Sequence, residues 1–195
     1  MSHYFENDKN LKSEQKKNFV QLNNQDFSFI TDHGVFSKKG LDFGTRTLLE
    51  TIAKEEISGK ILDFGCGYGP IGIILAKTTN AHVTMVDIND RSLELAYKNA
   101  ALNQVDVQIK ASNFYENVTE MYDYIVSNPP IRVGKDALYK ILFEAKLHLK
   151  KGGQLWIVIH KDQGAKSTAK DLEKAYHVQI ITKNKGFYII CATNN

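Results

Sequence analysis

The chain has 195 residues, of which 43% are hydrophobic and 24% are charged. This composition is that of one ordinary globular domain and excludes an intrinsically disordered chain. The formal net charge of +3 permits a polyanionic partner but does not require one. No apolar run approaches the roughly 20 residues of a membrane span, and the N-terminus shows no signal-peptide segment. Two cysteines are too few for a disulfide scaffold, so we expect a cytoplasmic protein.

The order of periodic segments predicts an α/β domain. Residues 1–17 have no hydrophobic period and are predicted to be a flexible tail, with a single domain over residues 18–195. A β-hairpin around Asn23-Asn24 begins the domain, and the strands and helices that follow alternate, which predicts a mostly parallel sheet covered on both faces. A final hairpin requires at least one antiparallel strand. The predicted sheet strands are 60–64, 82–87, 106–110, 122–127, 154–160, 178–182 and 187–193, and the predicted helices are 42–55, 71–77, one capped by Asp90, 136–149 and 165–176.

A glycine-rich segment, D-F-G-C-G-Y-G from Asp63 to Gly69, joins the first strand of this sheet to a helix. Glycines at alternate positions let the backbone approach a ligand, and this loop lies at the carboxyl edge, where ligands of open α/β sheets bind. The spacing differs from the dinucleotide fingerprint, because Pro70 stands three residues after Gly67. Asp63 would repel a pyrophosphate, so a ligand with a positive group, such as S-adenosylmethionine, fits better. A tight turn that binds no ligand is the alternative.

Two polar residues follow the next strands. Asp87 ends the second strand about 20 residues beyond the glycines, where an acid can accept hydrogen bonds from both ribose hydroxyls of an adenosine-containing cofactor. NAD shares this feature, and a helix cap is the alternative role. Asn113 follows the third strand and can hydrogen-bond an adenine, although asparagine is also common in plain turns.

Asn128, Pro129 and Pro130 end the fourth strand, and folding alone does not call for them. Two prolines supply no backbone N–H groups, fix φ near about −65° and disfavour helix at the preceding residue. The resulting stiff loop presents one amide side chain and neighbouring carbonyl groups. We expect such a loop to hold an exocyclic amino group by its hydrogens, with the nitrogen lone pair directed outward.

These three motifs, in this order, resemble those of class I S-adenosylmethionine-dependent amino-methyltransferases, whose [DNS]-P-P-[FYW] signature closes the fourth strand. Further segments are similar to the bacterial small-subunit ribosomal RNA guanine-N2 methyltransferase family. The similar segments are 32–37, 41–45, 65–72, 128–135, 155–159 and 163–165.

The resemblance implies a Rossmann-like, doubly wound, seven-stranded sheet of order 3-2-1-4-5-7-6. It also implies S-adenosylmethionine as cofactor and ribosomal RNA or the small ribosomal subunit as partner. Gly44 and Thr45 would lie near the methionine end of the cofactor, and Asn128 would receive the target amine with Pro129 and Pro130. The residues expected to hold the cofactor are Asp63, Gly65, Gly67, Gly69, Asp87, Asn113, Gly44 and Thr45.

Substrate contacts are less well defined by the sequence. The family's aromatic residue after the prolines is replaced by Ile131, so another ring must stack on the base, and Phe36 and Tyr68 are the candidates. The family's longer members have an additional N-terminal domain, so RNA recognition falls to this domain's own surface or to the intact ribosomal particle. The residues predicted to border the pocket, if they are not simply solvated, are Arg132, Lys135, Lys38 and Lys39.

Other functions remain open at this point. Adenine-N6 and protein-glutamine methyltransferases share the Asn-Pro-Pro loop, and a catalytically silent RNA-binding or assembly module would retain the fold. The intact Asp63, glycines, Asp87 and Asn128 argue against a silent module. Cys66 is expected to pack rather than act as a nucleophile, because cytosine-C5 enzymes place a Pro-Cys pair at the fourth strand. The histidines show no metal-ligand spacing, and the sequence defines neither the target nucleotide nor the oligomeric state.

Overall fold

The computed structural model describes residues 13–32, 40–130 and 134–195. No helix in these ranges is long and apolar enough to cross a membrane. The elements are β1 (Lys16–Leu22), β2 (Gln25–Thr31), α1 (Phe43–Ile52), β3 (Ser58–Phe64), α2 (Pro70–Thr78), β4 (Asn80–Asp87), α3 (Asp90–Asn103), β5 (Gln108–Ala111), β6 (Tyr122–Ser127), α4 (Lys135–Glu144), β7 (Leu149–His160), α5 (Ala165–Leu172), β8 (His177–Asn184) and β9 (Phe187–Thr193).

Seven strands form the central sheet in the order β5-β4-β3-β6-β7-β9-β8. Strands β3 to β7 pair in parallel, and β9 runs antiparallel to both β7 and β8. Counted along the sheet alone, this is the predicted order 3-2-1-4-5-7-6, so the fold prediction is confirmed. The carboxyl ends of β3, β4, β6 and β7 therefore meet at one edge, and β9 begins at that same edge.

Alternate residues along the strands face two apolar cores, one on each side of the sheet. Ile61 and Met85 face a core that also contains α1, α2, α3 and the hairpin. Leu62 and Ile125 face a second core with α4 and α5. The prediction that helices cover both faces of the sheet is confirmed, because α1, α2 and α3 pack on one face and α4 and α5 on the other.

The largest boundary difference lies between α4 and β7. The predicted helix 136–149 ends at Glu144, and a 3₁₀ turn, Ala145–His148, leads into β7, which begins at Leu149 instead of residue 154. Leu149 pairs with Tyr122, and the register shifts before the next pair. Gly152, with φ of 76°, lies in this irregularity. Gly152 and Gly153, which follow the predicted helix end, thus belong to a bulged strand.

Smaller differences have local causes. Helix α1 ends at Ile52 because residues 53–56 are exposed and offer no apolar face. The cap of α3 is Asn89, whose side chain accepts a hydrogen bond from the Ser92 N–H, and not Asp90, which is the first helical residue. Strand β1 begins at Lys16, inside the predicted tail, because its pairing with β2 extends that far. Helix α5 likewise ends at Leu172, short of residue 176.

Two asparagines of α3 attach the N-terminal hairpin to the domain. The Asn99 amide accepts from Ile30 N at 2.6 Å and donates to the carbonyl oxygens of Ile30 at 2.9 Å and Tyr68 at 2.8 Å. Asn103 makes the corresponding pair of bonds to the backbone of Ser28, at 3.0 and 2.7 Å. These amides satisfy the free edge of β2 as a further strand would. Sequence periodicity gave no sign of this contact.

The substitution Asn99→Ala should lower the free energy of unfolding by about 2–4 kcal/mol, because it leaves buried backbone groups without partners. Urea unfolding followed by circular dichroism measures this loss. Asn117→Ala is the control, since this exposed amide donates one bond, to the Ala111 carbonyl, and its loss should cost less than about 1 kcal/mol. Equal effects of the two substitutions would contradict the anchoring role of Asn99.

Candidate active site

The glycine loop is fixed to the end of β4. The N–H groups of Gly65 and Cys66 both donate to the Val86 carbonyl at 2.9 Å. Gly65 has φ of 70°, and a β-carbon there would meet nothing within 4 Å, so its backbone faces open space. A β-carbon on Gly69 would instead lie 2.7 Å from Met85 Cε. Gly69 therefore permits α2 to pack on β4, whereas Gly65 leaves room for a ligand.

Asp63 is a fully buried carboxyl at the end of β3. Its Oδ2 accepts a hydrogen bond from Gly72 N at 2.8 Å, while Oδ1 is buried and has no hydrogen-bond partner among the described residues. Burial raises the pKa of Asp63 to about 7, the negative charge of Asp87 adds to the rise, and the Gly72 bond opposes it. A buried acceptor without a partner is costly, so this oxygen favours a ligand that brings a donor or a positive charge.

Asp87 bonds to the loop and to the next helix. Its Oδ2 accepts from Gly67 N at 2.8 Å, and its Oδ1 accepts from Asn89 N at 2.9 Å. Burial raises the pKa of this carboxyl, and the backbone N–H bonds oppose that rise. Each oxygen of a carboxylate can accept a second hydrogen bond. The ribose-binding role of Asp87 therefore stays a prediction compatible with its structural one.

The adenine end of the predicted cofactor site contains one expected residue and one that sequence analysis missed. Asn113 is exposed two residues after β5, and its amide donates to Glu116 Oε1 at 3.0 Å. Ile88 directly follows Asp87 and leaves 37% of its surface exposed. An exposed large apolar side chain beside Asp87 is suited to cover one face of a planar ring. An apolar residue at the end of a strand was the sequence signal that could have identified Ile88.

Asn128 is held by the first turn of α1. Its Nδ2 donates to Thr45 Oγ1 at 2.9 Å and lies 3.4 Å from Asp42 Oδ1. Asp42 also caps α1 by accepting from Thr45 N at 3.0 Å. The preceding Ser127 hydroxyl donates to the Phe64 carbonyl at 2.7 Å, which fixes the end of β6 against β3. No described residue donates to Asn128 Oδ1, so the amide uses its donors internally and keeps its oxygen as an acceptor.

Gly44 and Thr45 contact different groups. Thr45 bonds to Asn128, so the predicted cofactor residue also positions the predicted amine acceptor. A β-carbon on Gly44 would lie 2.8 Å from Phe187 Cε1, so Gly44 lets this ring pack directly on the helix backbone. The nearness of Phe187 was not foreseen, because position 187 is distant in sequence.

Tyr68 does not stack on a base. It is only 2% exposed, its hydroxyl donates to the Gly40 carbonyl at 3.0 Å, and its ring packs edge-on against Phe29. That prediction is wrong, because the hairpin covers the ring. Lys135, the first residue of α4, is exposed and lies over the Tyr139 ring at 5.0 Å. The predictions for Phe36, Lys38, Lys39, Ile131 and Arg132 lie outside the described residues.

Cys66 packs in the loop, as predicted. It is buried, and its pKa is raised well above the usual value by burial, with further contributions from Asp87 and Asp63. The thiol therefore stays protonated and is a poor nucleophile. Within the described ranges, no group of three or more His, Cys, Asp or Glu side chains could hold a metal ion.

Comparison with known proteins identifies the family. The family model "Methyltransferase small domain" matches residues 26–191. The chain belongs to this family. A relative from Bacillus subtilis (strain 168), the uncharacterized protein YbxB, is 43% identical over 97% of both chains. The ribosomal RNA small subunit methyltransferase C of Haemophilus influenzae (strain 86-028NP) is 42% identical over 139 residues. That alignment covers 69% of this chain and 42% of the relative.

A solved methyltransferase structure is similar in fold. The T. thermophilus 16S rRNA N2 G1207 methyltransferase, in complex with AdoMet and guanosine, superimposes with a TM-score of 0.84 at 25% identity. The match covers 95% of this chain and 52% of that one. The chain thus spans about half the length of that enzyme. A ribosomal protein L11 methylase from Lactobacillus delbrueckii subsp. bulgaricus has a TM-score of 0.70 at 22% identity and shows the fold alone.

S-adenosylmethionine is the cofactor of this methyltransferase domain, and the carboxyl edge fits it. Asp63 Oδ1 offers a buried acceptor without a protein partner among the described residues, and Gly65 leaves its side of the loop open. Asp87 retains acceptor capacity beside them. A cationic ligand at this acidic edge would offset the raised pKa of Asp63, which is consistent with an ammonium and a sulfonium.

The substitution Asp63→Asn should change how stability depends on pH in the cofactor-free protein. A carboxyl whose folded-state pKa is raised to about 7 destabilises the fold progressively as pH rises from about 4 to 7, because the unfolded chain ionises first. The variant should therefore gain up to about 4 kcal/mol relative to the wild type across this window, and nothing further above it. Urea unfolding between pH 4 and 8 measures the difference.

Asp26→Asn removes the same charge from an exposed position of the hairpin and controls for net charge. A difference between Asp63→Asn and wild type that is independent of pH would contradict the raised pKa of Asp63.

Proposed function

We propose that this methyltransferase transfers the methyl group to an exocyclic amino nitrogen, namely guanine N2 in small-subunit ribosomal RNA. The observation that carries the proposal is the orientation of the Asn128 amide, whose NH₂ group is bonded to Thr45 while its oxygen has no partner among the described residues. An amide fixed in this way is an acceptor for the hydrogens of an amine. It follows the strand end where the cofactor-binding edge lies.

The loop residues hold and align the amine. The Asn128 side-chain oxygen and the Pro129 carbonyl accept its two hydrogens, which favours a pyramidal, more nucleophilic nitrogen. The same oxygens stabilise positive charge that develops on the nitrogen. S-adenosylmethionine, when bound, would supply a methyl group on a sulfonium, from which a neutral thioether departs readily as the S–CH3 bond breaks. The protein therefore contributes mainly in-line placement, and the proton can leave late, to water or to a carbonyl.

The guanine assignment rests on relatives. The Haemophilus relative is a small-subunit ribosomal RNA methyltransferase, and the T. thermophilus neighbour is a 16S rRNA N2 G1207 enzyme that holds guanosine. The target base must be unpaired or flipped out to reach a pocket at this edge.

Removing the Asn128 amide should abolish most turnover and leave the affinity for the cofactor unchanged. Asn128→Ala should lower kcat by about 100-fold or more, the usual cost of losing one fixed polar group that stabilises transition-state charge. Thr45→Val removes the acceptor that orients Asn128 and should cost roughly tenfold, with Thr45→Ser restoring activity. Tritium transfer from labelled S-adenosylmethionine to ribosomal RNA measures kcat, and calorimetry measures cofactor affinity.

Asn117→Ala is the control for loss of an amide that lies outside the pocket, and it should behave as wild type. Unchanged turnover in Asn128→Ala would refute the assignment of Asn128 as the amine acceptor.

The identity of the product tests the proposed function itself. Labelled S-adenosylmethionine is incubated with the protein and, separately, with naked ribosomal RNA, small subunits, DNA and protein extract. Digestion and mass spectrometry should identify N2-methylguanosine from RNA or small subunits only. N6-methyladenine or methylglutamine would establish one of the alternative substrates, and no transfer to any substrate would favour a silent module.

A further inference from the structure

Two partly exposed phenylalanine rings lie at the carboxyl edge of the sheet. Phe43 is the first residue of α1 and Phe187 the first of β9, and their ring centroids are 5.8 Å apart with planes inclined by 46°. Phe187 pairs with His160 at the carboxyl end of β7, and the His160 ring meets it edge-on at 4.8 Å. Since β6 and β7 are parallel neighbours, Asn128 follows β6 at this same edge.

The helix turn that holds Asn128 also supports the Phe187 ring. A β-carbon on Gly44 would lie 2.8 Å from Phe187 Cε1 and 3.2 Å from Asp42 Oδ1. That same Asp42 oxygen lies 3.4 Å from the Asn128 amide nitrogen. One small gap, kept by a glycine, therefore separates the ring from the carboxylate that contacts the amide. The Phe187 ring and the Asn128 amide therefore both lie beside the first turn of α1.

Lys185 lies beside the Phe43 ring. Lys185, in the turn between β8 and β9, places its Nζ 4.8 Å from the centroid of the Phe43 ring. Partly exposed aromatic rings beside a cation are the composition with which proteins bind unpaired nucleotides, the rings packing on bases and the cation meeting phosphates. The occupant that this combination favours is a single-stranded RNA segment.

Neither sequence position that the structure allows us to judge supplies the ring expected at the amine pocket. The residue after the double proline is Ile131, and Tyr68 is buried beneath the hairpin. Phe36, the other candidate, lies outside the described residues. We propose that Phe43 and Phe187 form the surface against which the target base packs while its amine is held by Asn128. This inference rests on the proposed function, because it assumes that the acceptor is a nucleic-acid base.

The test compares single substitutions in the full chain. Phe43→Leu and Phe187→Leu should each reduce kcat/KM for ribosomal RNA by about tenfold, mainly through KM, since stacking of one base is lost. S-adenosylmethionine affinity by calorimetry should stay within about twofold of wild type, which also shows that each variant is folded. Phe187→Tyr keeps the ring and should restore kcat/KM.

Phe143→Leu is the matched control, because Phe143 is a partly buried ring of α4 tilted against Tyr139 at a centroid distance of 5.9 Å. It should leave kcat/KM unchanged. Wild-type kcat/KM in both Phe43→Leu and Phe187→Leu would overturn the inference and leave the proposed function standing. A wild-type protein that methylates a base amine other than guanine N2 would refute the proposed function, and the same comparison on that product would still decide whether these rings face the base.

Discussion

The Asp87 carboxylate, with one hydrogen bond from the N–H of Gly67 and one from that of Asn89, is the interaction on which much of the structure depends. The first bond fixes the glycine loop at the carboxyl edge. The second orders the residue that caps α3, and α3 carries Asn99, which bonds to both the hairpin and the Tyr68 carbonyl. The loop and α3 thus both bond to the Asp87 carboxylate, and the hairpin depends on it through Asn99. An acid therefore has a structural role there even without a ligand.

The other half of the edge is built around an amide. Asn128 suits its position because an amide is both donor and acceptor: Thr45 takes up the donor, and the oxygen remains for a substrate amine. Asp42 stiffens this arrangement, since the same carboxylate oxygen caps α1 and lies beside the amide. An acceptor held in this way needs little reorganisation when charge develops next to it, which is the general condition for electrostatic catalysis.

The sheet order and the meeting of Asp63, Asp87 and Asn128 at one edge could be foreseen from the sequence. Each lies at the carboxyl end of a strand or directly after it, and parallel strands bring their carboxyl ends together. The partners of Asn128 could not be derived in the same way. Asp42 and Thr45 lie 86 and 83 residues before Asn128 in the chain. Likewise, no local period encodes the packing of α1 on β9, which brings Phe43 against Phe187.

The error at Tyr68 has a similar origin. An aromatic residue in a glycine loop can face the ligand or the core. Here Phe29 of the hairpin packs on the Tyr68 ring, and the Gly40 carbonyl, 28 residues earlier in the chain, accepts from its hydroxyl. The end of α1 was also misplaced, because the exposed residues 53–56 continue the helical pattern. Local propensity does not set the end of a helix, because tertiary packing decides how far the helix extends.

The most direct test of this account is a crystal structure of the protein with S-adenosylhomocysteine and guanosine. We expect the guanine N2 amine within about 3 Å of both Asn128 Oδ1 and the Pro129 carbonyl oxygen, with Thr45 still bonded to the Asn128 amide nitrogen. A guanine bound with its amine directed away from Asn128, or an Asn128 oxygen occupied by a protein donor, would contradict the account.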